Sequence, residues 1–66
     1  MFKYGELLKM CRMSAHLTQK DLAIRAFTNQ ATISQYERGK RIPNVEVFEK
    51  LIDVCGYEIG VREKLK

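Results

Sequence analysis

LTQKDLAIRAFTNQATISQYERGKR, running from Leu17 to Arg41, is the stretch whose reading decides the fold. Thr18 suits a helix N-cap, and Asp21 three residues on supplies a weaker form of the Ser/Thr-x-x-Glu box. Leu22, Ala23 and Ala26 then share one buried helical stripe. Phe27 and Thr28 form a turn. Asn29 is a good N-cap for a second short helix from Gln30 to Glu37 or Arg38, and Gly39 is a natural stop in the left-handed conformation. Two short helices joined by a tight turn, with a basic exit, are the expected result.

Working outward, the spacing of Tyr4, Leu7, Leu8 and Cys11 predicts a first helix from about Phe2 or Lys3 to Met13. Gly5 weakens it by somewhat under about 1 kcal/mol relative to Ala. Ser14, Ala15 and His16 connect it to the next. On the other side Pro43 bars helix just before it, and Asn44 can cap a fourth helix from Val45 to Cys55. There Phe48, Leu51, Ile52 and Cys55 follow the i, i+3, i+4, i+7 pattern, and Gly56 ends it. From Tyr57 to Arg62 apolar residues alternate with polar or small ones, which is a strand pattern. The expected organisation is a helical domain over residues 1–56 and a strand or tail over 57–66.

One strand has no mate within the chain, and a lone strand leaves its backbone groups unpaired. Two arrangements answer this. The strand can pair with its copy in a twofold mate, burying Tyr57, Ile59 and Val61, or the tail can pack on its own first helix.

Sixty-six residues allow one small core and little material for a deep substrate pocket. Apolar residues at 45% and charged residues at 30% fit a soluble globular protein. The longest apolar runs are too short to span a membrane, no secretory signal pattern is present, and a cytoplasmic location is expected. Cys11 and Cys55 each sit on an apolar helical stripe and read as buried small hydrophobes rather than a disulfide. Together with His16 their spacing does not suit zinc, so neither metal nor cofactor is expected. The net charge of +4 favours polyanionic partners, but its distribution says more. Arg38, Lys40 and Arg41 are clustered, whereas the acids Glu46, Glu49 and Asp53 lie on a later helix.

Winding the third helix at about 100° per residue with Ile33 facing the core turns Tyr36 and Glu37 inward. Ala31, Gln35 and Arg38 face outward, flanked by Thr32 and Ser34, and Gln30 leans forward from the helix start. This outer face is small or amide-bearing and carries no acid. Gln offers a donor and an acceptor that match adenine in the DNA major groove, and the methyl groups of Ala31 and Thr32 match that of thymine. Glu37 facing the core needs a partner, and Arg12 at the end of the first helix is the candidate.

Residues 7–56 resemble the helix-turn-helix domain of the phage repressor and Cro family, often called Xre-type. The matching residues are Leu17-Thr-Gln-Lys-Asp-Leu-Ala23, Gln30-Ala-Thr-Ile-Ser-Gln-Tyr-Glu37 and Arg38-Gly-Lys-Arg-Ile-Pro43. The resemblance implies an all-α, compact four-helix, lambda-repressor-like domain, here with a short C-terminal β-strand. It implies a homodimer on double-stranded DNA with twofold symmetry. Gln30, Ala31, Thr32 and Gln35 match the base-reading positions. Gln19 matches a position that grips phosphate through its amide, and Lys40 and Arg41 match backbone-contacting positions, with Arg38 beside them. An Arg–Glu pair stands in the family where Arg12 and Glu37 stand here. The turn, however, usually carries Gly where this chain has Phe27, so either the turn geometry or the residue tolerated in it must differ. The ending, with Gln30-Ala-Thr-Ile-Ser34, is similar to the HipB-like antitoxins, which dimerise through a C-terminal strand.

The leading expectation is a sequence-specific DNA-binding repressor acting as a homodimer on a palindromic operator. The alternative is an antitoxin that binds a protein toxin and represses its own operon. Catalysis is not expected: Ser14, His16 and Asp21 are close in sequence but fall on a connection and a cap, without pocket-forming material around them.

Overall fold

Four helices each contribute one fully buried side chain to a shared core: Leu8, Leu22, Ile33 and Leu51. The computed structural model describes residues 3–60. The helices are α1 (Tyr4–Ser14), α2 (Gln19–Arg25), α3 (Gln30–Glu37) and α4 (Val45–Val54). Cys11, Ala23, Ala26, Tyr36, Phe48, Ile52 and Cys55 complete the buried cluster. Tyr4, expected on the buried face of α1, is more than half exposed and meets Phe48 edge-on, with ring centroids 5.1 Å apart. Both cysteines are free, and burial raises their thiol pKa values.

Three of the four helix starts are capped by side chains at the positions the sequence indicates. Thr18 and Asp21 form the full reciprocal box, with the Asp21 amide donating to Thr18 Oγ1 and the Thr18 amide to Asp21 Oδ2, each at 3.0 Å. Asn29 Oδ1 accepts from the Thr32 amide and Asn44 Oδ1 from the Val47 amide, both at 2.8 Å. These bonds satisfy amides that a helix start leaves without intrahelical partners.

All four helices end in the same way. His16, Phe27, Gly39 and Gly56 each take positive φ just past a helix, at 59°, 58°, 75° and 88°. The next residue's amide then reaches back five positions: Leu17 to Arg12, Thr28 to Ala23, Lys40 to Gln35 and Tyr57 to Ile52, at 2.9–3.1 Å. This is the Schellman motif repeated four times. The turn at Phe27 therefore keeps the left-handed geometry that suits Gly, and what differs is the residue occupying it.

Gly5 has a tertiary role that its effect on helix propensity does not reveal. A Cβ added there would overlap the carbonyl oxygen of Tyr36 and lie 2.8 Å from that of Glu37. The missing side chain lets α1 close against the last turn of α3.

The expected C-terminal strand is not formed, and the described residues are all-α. A strand needs a neighbour to complete its hydrogen-bond ladder, and no other segment of residues 3–60 forms a strand to supply one. Instead the Tyr57 amide completes the α4 cap, and the Tyr57 and Ser14 hydroxyls form a hydrogen bond at 2.8 Å. The tail at Tyr57 thus rests on α1, the second of the two arrangements open from sequence. Tyr57 and Ile59, expected on that strand, line an apolar groove beside Leu7 and Phe48. Val61 lies outside the described residues.

Candidate nucleic-acid interface

The winding that buries Ile33 and Tyr36 leaves Gln30, Ala31 and Arg38 exposed on α3, with Thr32, Ser34 and Gln35 half-buried. The Asn29 cap starts this helix and the Gly39 motif stops it, so the outward residues occupy a short helix closed at both ends. Lys40 and Arg41 follow the stop directly and are exposed. Their amides donate to the Gln35 carbonyl at 2.9 and 3.3 Å, which fixes the start of the basic loop to the last turn of the helix.

Two of the three cations are held by local contacts. Arg38 Nε donates to the Ser34 carbonyl at 3.4 Å, and the Arg41 guanidinium lies 5.7 Å from the Tyr36 ring centroid. Arg41 therefore stacks over an aromatic ring that is itself part of the core, which limits the range of positions its charge samples. Among the described residues Lys40 has no such side-chain contact.

Behind this surface lies a cluster of hydrogen bonds. Glu37, whose side chain is 3% exposed, accepts from Arg12 Nε at 2.7 Å, Arg12 Nη2 at 3.1 Å and Gln19 Nε2 at 3.2 Å. Arg12 Nη1 donates to the Leu17 carbonyl at 2.8 Å. The end of α1, the connection after it, the start of α2 and the last turn of α3 meet in this one cluster. The hydrogen bond to Glu37 raises the Arg12 pKa further, so the guanidinium keeps its charge despite partial burial. No buried side-chain polar atom among the described residues lacks a partner.

Gln19 is placed differently from the other candidates for phosphate contact. Its amide is half-buried and engaged by Glu37, whereas Arg38, Lys40 and Arg41 are exposed. An amide NH₂ carries two donors, so one N–H remains while the other is fixed. The structure brings Gln19 together with Arg12 and Glu37, and it leaves Gln30, Ala31, Thr32 and Gln35 side by side on α3. Sequence reasoning missed the Leu17 carbonyl and the stacking of Arg41 on Tyr36. The second was accessible, since Tyr36 and Arg41 flank a Gly39 stop that reverses the chain.

Among the described residues no group of acidic, His or Cys side chains is arranged to hold a metal ion, and no helix is long and apolar enough to cross a membrane.

Residues 3–65 match the family model described as a helix-turn-helix domain. Endothelial differentiation-related factor 1 of Homo sapiens is 36% identical over 55 residues, covering 83% of this chain and 37% of that protein. Multiprotein-bridging factor 1 of Debaryomyces hansenii is 33% identical over a stretch of the same length, with the same coverage of both chains. A protein of Aeropyrum pernix, named only as an HTH-type transcriptional regulatory protein, is 41% identical over 55 residues, 83% of this chain and 17% of its own length. The chain thus spans well under half the length of the curated relatives it matches. No solved structure matches it. The extent of the family match, together with the capped α2–turn–α3 unit, shows that this chain belongs to the helix-turn-helix domain family.

Proposed function

We propose that this chain binds double-stranded DNA as a sequence-specific transcriptional repressor, acting as a homodimer on a palindromic operator with α3 in the major groove. The observation that carries the reading is the division of α3 into two faces. Ile33, Tyr36 and the neutralised Glu37 point inward, while the outward face carries Gln30, Ala31, Thr32 and Gln35 without an acid.

The chemistry of that face suits base edges. The amides of Gln30 and Gln35 match the N6 donor and N7 acceptor of adenine, and the methyl groups of Ala31 and Thr32 match the thymine methyl. Arg38, Lys40 and Arg41 supply charge for phosphates, and the remaining N–H of Gln19 adds an uncharged donor held in place by Glu37. Phosphate contacts contribute most of the affinity and base contacts most of the discrimination. Glu37 would repel phosphate if it were free, and its burial against Arg12 removes that repulsion.

Selection of bound sequences from a random DNA pool tests the reading. Enrichment of a two-fold symmetric site, with half-sites separated by about one helical turn, is the expected result. Recovery of unrelated sequences with no common element would remove the base-reading role of α3, and recovery of single half-sites would remove the homodimer.

A further inference from the structure

Phe27 is 88% exposed, yet it occupies the left-handed position of the α2 cap. A side chain in that conformation costs about 1 kcal/mol or more relative to Gly, and so exposed a ring recovers almost nothing through burial. An outlier of this kind points from structure to use. Its surroundings indicate the use. Phe27, Thr28, Val47 and Lys50 border a groove of about 230 Å³ whose floor includes Tyr36 and Leu51. This is room for one leucine- or phenylalanine-sized side chain.

The charge around the groove specifies what can enter. Lys50 is the charged side chain lining it, and its ammonium lies 5.0 Å from the Phe27 ring centroid. Ile24, three residues before Phe27 on α2, is 63% exposed. Arg25 follows Ile24 directly, Lys20 lies four residues before it, and both are exposed. Asp21, the acid of α2, is engaged by the Thr18 amide. On the far side of Lys50 lies a separate cleft bordered by Glu46, Glu49, Asp53 and Glu58. The acids of that cleft lie beyond Lys50, so a negatively charged segment is favoured on the Phe27 side of that ammonium.

We infer that the Phe27–Lys50 groove docks an acidic segment of a partner protein, inserting one aromatic or leucine side chain and placing an adjacent Asp or Glu against Lys50. The lining is too apolar, and the cations too few, to suit nucleic acid here. None of the groove residues belongs to the surface assigned to DNA, and Tyr36 in its floor faces the core.

The test is an NMR titration of the isotope-labelled full chain with a short, blocked synthetic peptide carrying one Phe flanked by Asp and Glu. Saturable shifts at Phe27, Thr28, Val47 and Lys50 are expected. They should vanish when the peptide's Phe is replaced by Ala. Phe27→Gly suits the left-handed backbone and keeps the fold, and it should weaken binding about tenfold or more, as loss of an interface anchor does. Lys50→Glu should weaken binding as well, and a peptide with Lys in place of its acids should restore it. Four results would overturn the inference: no shift at roughly millimolar peptide, shifts confined to the groove beside Tyr4 and Ile42, equal binding by Phe27→Gly, or self-association of the chain through Phe27. The measurement requires no DNA, so its outcome is independent of the DNA reading.

Discussion

Glu37 and Arg12 meet through two parallel hydrogen bonds, Nε to Oε2 at 2.7 Å and Nη2 to Oε1 at 3.1 Å, with the carboxylate 3% and the guanidinium 12% exposed. The fork geometry suits Arg and not Lys. Removing one partner strands the other. Arg12→Met should therefore cost on the order of 3 kcal/mol in urea unfolding, because Glu37 stays buried without its cation. Glu37→Gln keeps an acceptor and should cost less, about 1–2 kcal/mol. A double variant, Arg12→Met with Glu37→Leu, should recover most of the loss. If both single variants unfold like the parent, the pair is not what joins α1 to α3.

A non-glycine cap and a glycine cap give predictions of opposite sign. Phe27→Gly relieves a left-handed side chain, loses a modest cation–π contact with Lys50 and should raise stability by about 0.5–1 kcal/mol. Gly56→Ala introduces the same strain and should lower stability by about 1 kcal/mol or more. Thermal or urea midpoints measure both, and a less stable Phe27→Gly would contradict the assignment of strain to this residue.

Gly5→Ala separates helix propensity from packing. Propensity alone would stabilise α1 by about 1 kcal/mol. The overlap with the Tyr36 carbonyl should win, giving a net loss of about 1–3 kcal/mol, as overpacking does. A stabilised variant would mean that α1 moves away from α3 at little cost.

The capping box predicts the acid limb of the stability curve. Hydrogen bonds from the Thr18 backbone and side chain hold the Asp21 pKa below the usual carboxylate value. A depressed folded pKa contributes stability that is fully present above the unfolded value and is lost as pH falls through the folded one. The advantage of the parent over Asp21→Asn should therefore be constant near neutrality and shrink across that acidic window. A gap between the two that stays constant down to strongly acidic pH would show that the box acts without its charge.

On DNA, the two faces of the proposed interface should respond differently. Gln30→Ala should cost about 1–3 kcal/mol on the preferred site and little on random sequence. Lys40→Ala should weaken all sequences alike and flatten the salt dependence by about one unit. Equal losses on cognate and random DNA for Gln30→Ala would count against base reading there.

Features set by neighbours along the chain were legible before any coordinates. The caps at Thr18, Asn29 and Asn44 depend on a residue three positions on, and each is present. The stripes of α2 and α4 depend on a period, and Ala23, Leu51 and Ile52 are buried as that period requires. The winding of α3 was enough to turn Glu37 inward and to indicate Arg12. What stayed hidden depends on distant backbone. Gly5 meets a carbonyl of Tyr36, and nothing local marks that contact. The alternation from Tyr57 was a real pattern without a pairing partner, and a helix cap and the Ser14 hydroxyl engaged Tyr57 first. At Phe27 the absence of Gly was visible, but only the backbone shows that the turn geometry is kept.

The repeated cap has a consequence for how such a domain can change over time. Each reversal of the chain is closed by main-chain bonds, and α3 is anchored from within by Glu37. Among the described residues the side chains of Gln30, Ala31, Thr32 and Gln35 make no hydrogen bond to the rest of the protein. These side chains are thus uncoupled from the hydrogen bonds that hold the fold, and exchanging them leaves that scaffold of bonds as it is.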